Sequence, residues 1–156
     1  MFILLEQEVF NMKKLGIVLV IFGVFTLCYS QDNLSDYILK CISYLSKPAP
    51  ENFSRMDRTS YLSKDRRIAI VVIDGVVIQS AMGKTFDRTN EAQVWLSQFY
   101  NYFENNNWVY SDHSEGGVEI YSKNNIYALI NTPTKRDDNR IVAMVMFVDN
   151  IENMKK

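Results

Sequence analysis

Cysteine is scarce in this 156-residue chain, with two copies, and one of them, Cys28, stands inside an apolar segment near the N-terminus. A disulfide framework is therefore excluded as the basis of the fold. Histidine is scarcer still, with His113 alone. A serine or cysteine nucleophile needs a positioned base, and only one conventional candidate exists for it. There is also no excess of charge of either sign, since the net charge is −1. The balance survives removal of the first 30 residues, which carry Lys13 and Lys14 against Glu6 and Glu8. Nucleic-acid binding rests on clustered cations that neutralise phosphates, so that class of partner is set aside. Nucleophile elbows, phosphate loops, dinucleotide fingerprints, internal repeats and low-complexity tracts are missing as well. Nothing in the sequence asks for a cofactor or a metal.

What is present begins with one apolar run. Leu15 to Cys28 is uncharged for 14 residues, preceded by Lys13 and Lys14 and followed by the small Ser30. A positive flank, a short apolar run and small residues before a cut are the marks of a secretory signal peptide. As a helix this run rises about 21 Å, short of a hydrocarbon core of about 30 Å. Residues 12–30 therefore read as a leader cleaved before Gln31. Residues 1–11 contain Glu6 and Glu8, out of place in a positive leader, and read as an upstream mis-start. The alternative is a lipid-anchored envelope protein attached through Cys28. The tetrad Phe25-Thr26-Leu27-Cys28 departs from a lipobox at Phe25 and at Leu27. The compartment expected is the periplasm or envelope of a bacterium, with membrane contact only if the chain is lipidated or uncleaved.

Residues 31–149 read as a single domain and 150–156 as a tail. Leu34, Tyr37, Ile38, Cys41, Ile42 and Leu45 follow the i, i+3, i+4, i+7 spacing of an amphipathic helix, capped at Asn33 and stopped by Pro48. Cys41 lies within that stripe, as a buried thiol should. Residues 48–60, with two prolines and no period, read as a connector. Two β-branched runs flank Asp74-Gly75, a pair suited to a type I′ turn, and predict a hairpin of strands 67–73 and 76–82.

A second helix is marked by Ala92, Trp95, Leu96, Phe99 and Phe103, with Asn90 and Gln93 as a capping-box-like start and Asn105 to Asn107 as its end. Four strand-like segments follow Trp108. The fold expected is α+β, with both helices packed on one face of an antiparallel sheet of about five to six strands, in the order α-β-β-α-β-β-β-β.

Candidates for chemistry are few. Asp112, His113 and Glu115 fall together in SDHSEGG, but a turn accounts for them through solubility and the Gly116-Gly117 bend. Asp74 and Glu119 are the carboxylates that a hydrolase reading would pair, and nothing in their spacing brings them together. Aromatic residues make up 13% of the chain. Trp108, Tyr110, Tyr121 and Tyr127 lie on neighbouring strands, where rings on a rigid sheet stack on sugars, peptides or a partner's side chains. With Val118 and Ile120 facing the core, Glu119 and Tyr121 would face away from it. The last strand, residues 141–148, is apolar on both faces, which marks either a central strand or an interaction surface. The sequence thus points to an exported, non-enzymatic binding domain for a protein, peptide or glycan, with a homodimer among the possible assemblies.

Overall fold

The computed structural model describes residues 34–113 and 117–150. The leader, Cys28, Asn33, Glu115, Gly116 and residues 151–156 lie outside that range. In order, the elements are α1 (Leu34–Tyr44), β1 (Phe53–Arg55), β2 (Ser60–Ser63), β3 (Ala69–Ile73) and β4 (Val76–Phe86). Then come α2 (Thr89–Asn105), β5 (Val109–His113), β6 (Val118–Lys123), β7 (Ile126–Asn131), β8 (Thr134–Lys135) and β9 (Ile141–Val148). All pairings are antiparallel. The sheet runs β1-β2-β3-β4-β9-β7-β6-β5, and the short β8 also pairs with β9. Each helix thus precedes a four-strand meander whose last long strand is central, so β4 and β9 form the seam between two topologically equivalent halves.

The α+β class and the antiparallel sheet agree with the sequence reading, but the strand count does not. There are nine strands among the described residues instead of five to six. The connector at 48–60 holds β1 and the start of β2. Strands of three and four residues are too short for alternation to show, and the prolines beside them masked the signal. Asp57 shapes the turn between them, its Oδ1 accepting the backbone N–H groups of Thr59 and Ser60 at 2.8 and 2.7 Å.

Both helices bury their apolar stripes in one cluster, against one face of the sheet. From α1 come Leu34, Ile38 and Cys41, and from α2 Ala92, Trp95, Leu96, Phe99 and Phe103. The strands answer with Ile70, Val72, Met82, Ile130, Val145 and Phe147. Burial pushes the Cys41 thiol far above its ordinary pKa, which keeps it protonated and inert. Its carbonyl accepts the hydroxyl of Ser80, 2.8 Å away on β4. After α1 the chain turns at Ser46, in the left-handed region at φ 58°, before it reaches Pro48. Ser46 N–H donates to the Val77 carbonyl at 2.9 Å, so the exit from the helix is stitched directly to the sheet.

The Asp74-Gly75 hairpin forms with positive φ at both residues, 52° and 79°, as a type I′ turn requires. Strand β4 then runs on to Phe86, beyond the expected end at 82. A register shift between Val71 and Val72 places one extra residue on β4, a bulge that tightens the local twist.

All eight residues of β9 are buried, which makes it the doubly covered central strand. Its second face joins a separate apolar cluster with Leu62, Ala69, Ala81 and Leu129.

A polar cluster ties α1 to the β2–β3 turn. Asp65 accepts the Ser63 hydroxyl at 2.6 Å and the Tyr37 hydroxyl at 3.4 Å, and Arg67 lies 5.0 Å from the centre of the Tyr37 ring. Burial raises the Asp65 pKa, but the hydrogen bonds and the Arg67 charge outweigh it and hold the carboxyl below its usual range. A carboxyl lowered in the folded state stabilises above its unfolded pKa of about 3.9, and that contribution is lost as pH falls through the folded value. Asp65→Asn is therefore expected to lower the Tm at neutral pH, with the gap from wild type closing below about pH 4. Thermal melts between pH 7 and pH 3 measure it, and a gap that widens toward acid would contradict this assignment.

Candidate functional site

The site is built at the end of α2. Asn107 takes the left-handed conformation at φ 56°, Trp108 N–H reaches back to the Phe103 carbonyl at 3.0 Å, and Asn107 N–H reaches Glu104 O at 3.4 Å. These are the two bonds of a Schellman motif, and the apolar contact that accompanies the motif is here a pair of rings. Trp108 and Phe103 lie 4.9 Å apart between centroids. Lys123 donates to the Asn106 carbonyl at 2.6 Å, placing a cation at the negative end of the helix. The start of α2 differs from expectation. Arg88 in extended conformation is the N-cap, without a side-chain bond, and Asn90 already lies inside the helix.

From this corner the aromatic side chains continue onto the sheet. Tyr121 stacks on Phe103 at 5.1 Å with 29° between planes. Tyr110, opposite Tyr121 in the β5–β6 register, meets its edge at 5.4 Å and 77°. Tyr100, on α2, tilts toward the same ring at 6.1 Å. Trp108 and Phe103 rest in turn on Phe147 of β9, at 6.3 and 6.4 Å. The result is a tiered stack with its base in the core and its top in water, where Tyr110 is 51% exposed. Each such ring pair contributes about 0.5–1.5 kcal/mol beyond the area it buries, so the base is stiff.

One expectation about this region is reversed. Tyr121 pairs with Ala128, a residue of the helix-side core, so Glu119 and Tyr121 share that face, while Val118 packs with the second cluster. Period two left the choice between the faces open, and the aromatic base under Tyr121 decides it. Trp108, Tyr110 and Tyr121 are brought together. Tyr127 is not, because it packs with the second cluster on the opposite face. Tyr127 instead borders an open groove of about 360 Å³ with Asn107, Val109, Ser122 and Lys123.

Sequence reasoning missed Tyr100 and Glu119 as members of the site. Burial first, then the hydrogen bond to Glu119 and its charge, push the Tyr100 phenol well above its ordinary pKa. Tyr121 is raised by burial and by the charges of Glu119 and Glu104. Both phenols stay protonated at neutral pH, and Tyr100 serves as a hydrogen-bond donor to the Glu119 carboxylate. The helical stripe that ends in Phe103 carries Tyr100 along its flank, three residues earlier, and this spacing was the available signal.

The other pairings fall apart. Glu119 is opposite Ile130, which is opposite Val145, which is opposite Met82, so it stands three strands across from β4 and level with Met82. Asp74 lies beyond Val76, at the far end of β4, roughly 25 Å away by strand spacing and rise. Asp112 and His113 end β5 on the backbone. Among the described residues no group of three or more His, Cys, Asp or Glu could hold a metal ion. No helix among them is long and apolar enough to cross a membrane. The chain matches no protein-family model, no curated protein and no solved structure.

Proposed function

We propose that the protein is an exported, envelope-located binding domain without catalytic activity, which holds a glycan or peptide chain against Tyr110 and Tyr121. The observation that supports this reading is the half-exposed Tyr110 ring standing on a ring that stacks on the buried Phe103. A ring held rigid before binding loses little conformational freedom when a sugar or side chain covers it. Glu119 and the Tyr100 hydroxyl supply polar groups at the same place. Export is supported by the leader-like segment at residues 12–30.

The groove beside Tyr127 supports a second location for the same activity, since its size lies within the range of ligand sites and asparagine amides line it. A purified disaccharide–tetrapeptide from bacterial cell wall carries both chemistries and serves as the probe, with Trp108 fluorescence as the signal. Tyr110→Ala is expected to weaken binding at least tenfold, while Tyr127→Ala leaves it unchanged. Loss with Tyr127→Ala alone would move the site to the groove. An unchanged spectrum at saturating probe would reject this class of ligand.

A further inference from the structure

The sheet has two edges, and they are built differently. At one, β1 is three residues long, and the Arg55 guanidinium folds back to donate to the Asp57 and Arg58 carbonyls at 2.8 and 3.0 Å. At the other, β5 has five residues and pairs with β6 alone among the described residues. Its outer row of N–H and C=O groups therefore has no strand beside it. Edges are normally blunted by brevity, lysine or proline, and Val109-Tyr110-Ser111-Asp112-His113 holds neither lysine nor proline. A register shift between Tyr110 and Asp112 interrupts the edge, a bulge that confines a regular neighbour to a short segment.

Val109 and Tyr110 are 63% and 51% exposed, and as neighbours on a strand they point to opposite faces. Val109 borders the groove with Asn107 and Ser122, and Tyr110 meets the ring of Tyr121. The tyrosine stack and the groove are thus the two sides of one edge. A strand laid beside β5 presents its side chains alternately to each, while its main chain bonds to the open row. Tyr127 is two strands further in than Val109, through the register Val109–Ser122–Tyr127, and takes no part.

The charge at this edge is mostly of one sign. The last turn of α2, β5 and β6 carry Glu104, Asp112 and Glu119 against Lys123. Lys123 is held at the Asn106 carbonyl, and Glu119 and Glu104 both act on the Tyr121 phenol. A tyrosine face beside carboxylates attracts a cation. Two copies of the chain joined here would set the same acids against each other, so the edge is unsuited to itself.

We infer that β5 takes up an extended peptide as a further strand of the sheet, with a lysine or arginine of that peptide over Tyr110. The inference rests on the proposed binding function and narrows its ligand to a basic peptide strand.

Acetyl-Val-Thr-Lys-Thr-Val-amide, added to the full chain and followed by Trp108 fluorescence, is the probe. Alternate residues of a strand direct their N–H groups to a given neighbour. N-methylation of the two threonines and N-methylation of the lysine and second valine are therefore expected to differ, one raising Kd at least about tenfold and the other little. Norleucine in place of the lysine is expected to raise Kd at least about fivefold, and Glu119→Gln to reduce that preference. Equal affinity of the two methylated peptides overturns strand addition. A preference for lysine that is absent, or that survives Glu119→Gln unchanged, overturns the choice of a basic strand. If the cell-wall disaccharide–tetrapeptide binds through Tyr110 and the pentapeptide does not, the inference falls and the binding function stands. If neither binds, both fall. A free chain that light scattering finds dimeric, and that Tyr110→Ala makes monomeric, gives the edge to a second copy and also overturns the inference.

Discussion

Val145→Asp is expected to abolish the cooperative fold. Val145 is fully buried at the middle of β9, opposite Met82 of β4 and Ile130 of β7, on the side that both helices cover. The buried side chains of that cluster among the described residues are apolar, so an aspartate there enters a site of low dielectric. The effective penalty for such a charge is several kcal/mol, even after the group responds by raising its own pKa. Domains of this size are stable by only about 5–15 kcal/mol in total. Near-UV circular dichroism and a urea titration read the outcome. A sigmoidal transition with the wild-type midpoint would mean that β9 is not the centre of the molecule.

The second large effect is expected at Phe103. Truncation to alanine removes the ring on which Tyr121 stacks and which Trp108 and Phe147 flank. Phe→Ala in a core costs about 3–5 kcal/mol, in part because the neighbours collapse only partially into the space. With a urea m-value of about 1–3 kcal/mol/M, the midpoint falls by more than about 1 M. Trp108 loses its closest partner ring, so its emission should shift toward the red in the folded variant. Tyr110→Ala, at the exposed top of the same stack, loses one ring pair and should cost only about 0.5–1.5 kcal/mol. A Phe103 variant as stable as the Tyr110 variant would show that the stack has no buried base.

How much of this was legible follows from element length and from what each residue's partner is. Both helices could be read because five or more apolar positions repeat at helical spacing, and the structure buries those residues, Tyr37 and Ile42 only in part. The Asp74-Gly75 hairpin could be read because two positive φ angles in a row demand a special pair of residues. By contrast, β1 and β8, of three and two residues, carry no period and owe their existence to the strand beside them.

Which face Tyr121 takes was equally hidden, since alternation fixes that neighbours oppose each other and not which one meets Phe103. The grouping of Trp108 with Tyr110 could be read from their spacing of two. The separation of Tyr127 from that group could not, because it depends on the β6–β7 register. The helical spacing puts Tyr100 beside the apolar stripe, but which strand residue it meets, Glu119, is set only by the packing of α2 on the sheet.

The seam between β4 and β9 carries a consequence for the order of events in the cell. Its partners, Ser80 to Phe86 and Phe147 to Ile141, are separated by more than fifty positions of chain. Contacts of that span are slow to form, because the intervening loop must be closed before any of them is rewarded. The first meander, β1 to β4, emerges from the ribosome long before β9 and has nothing to cover the inner edge of its last strand. A nascent chain of this topology therefore waits, incompletely folded, until residues 141–148 are made. Until then the inner edge of β4 presents unpaired backbone groups, which is the stage of synthesis at which the chain is most open to pairing with another strand.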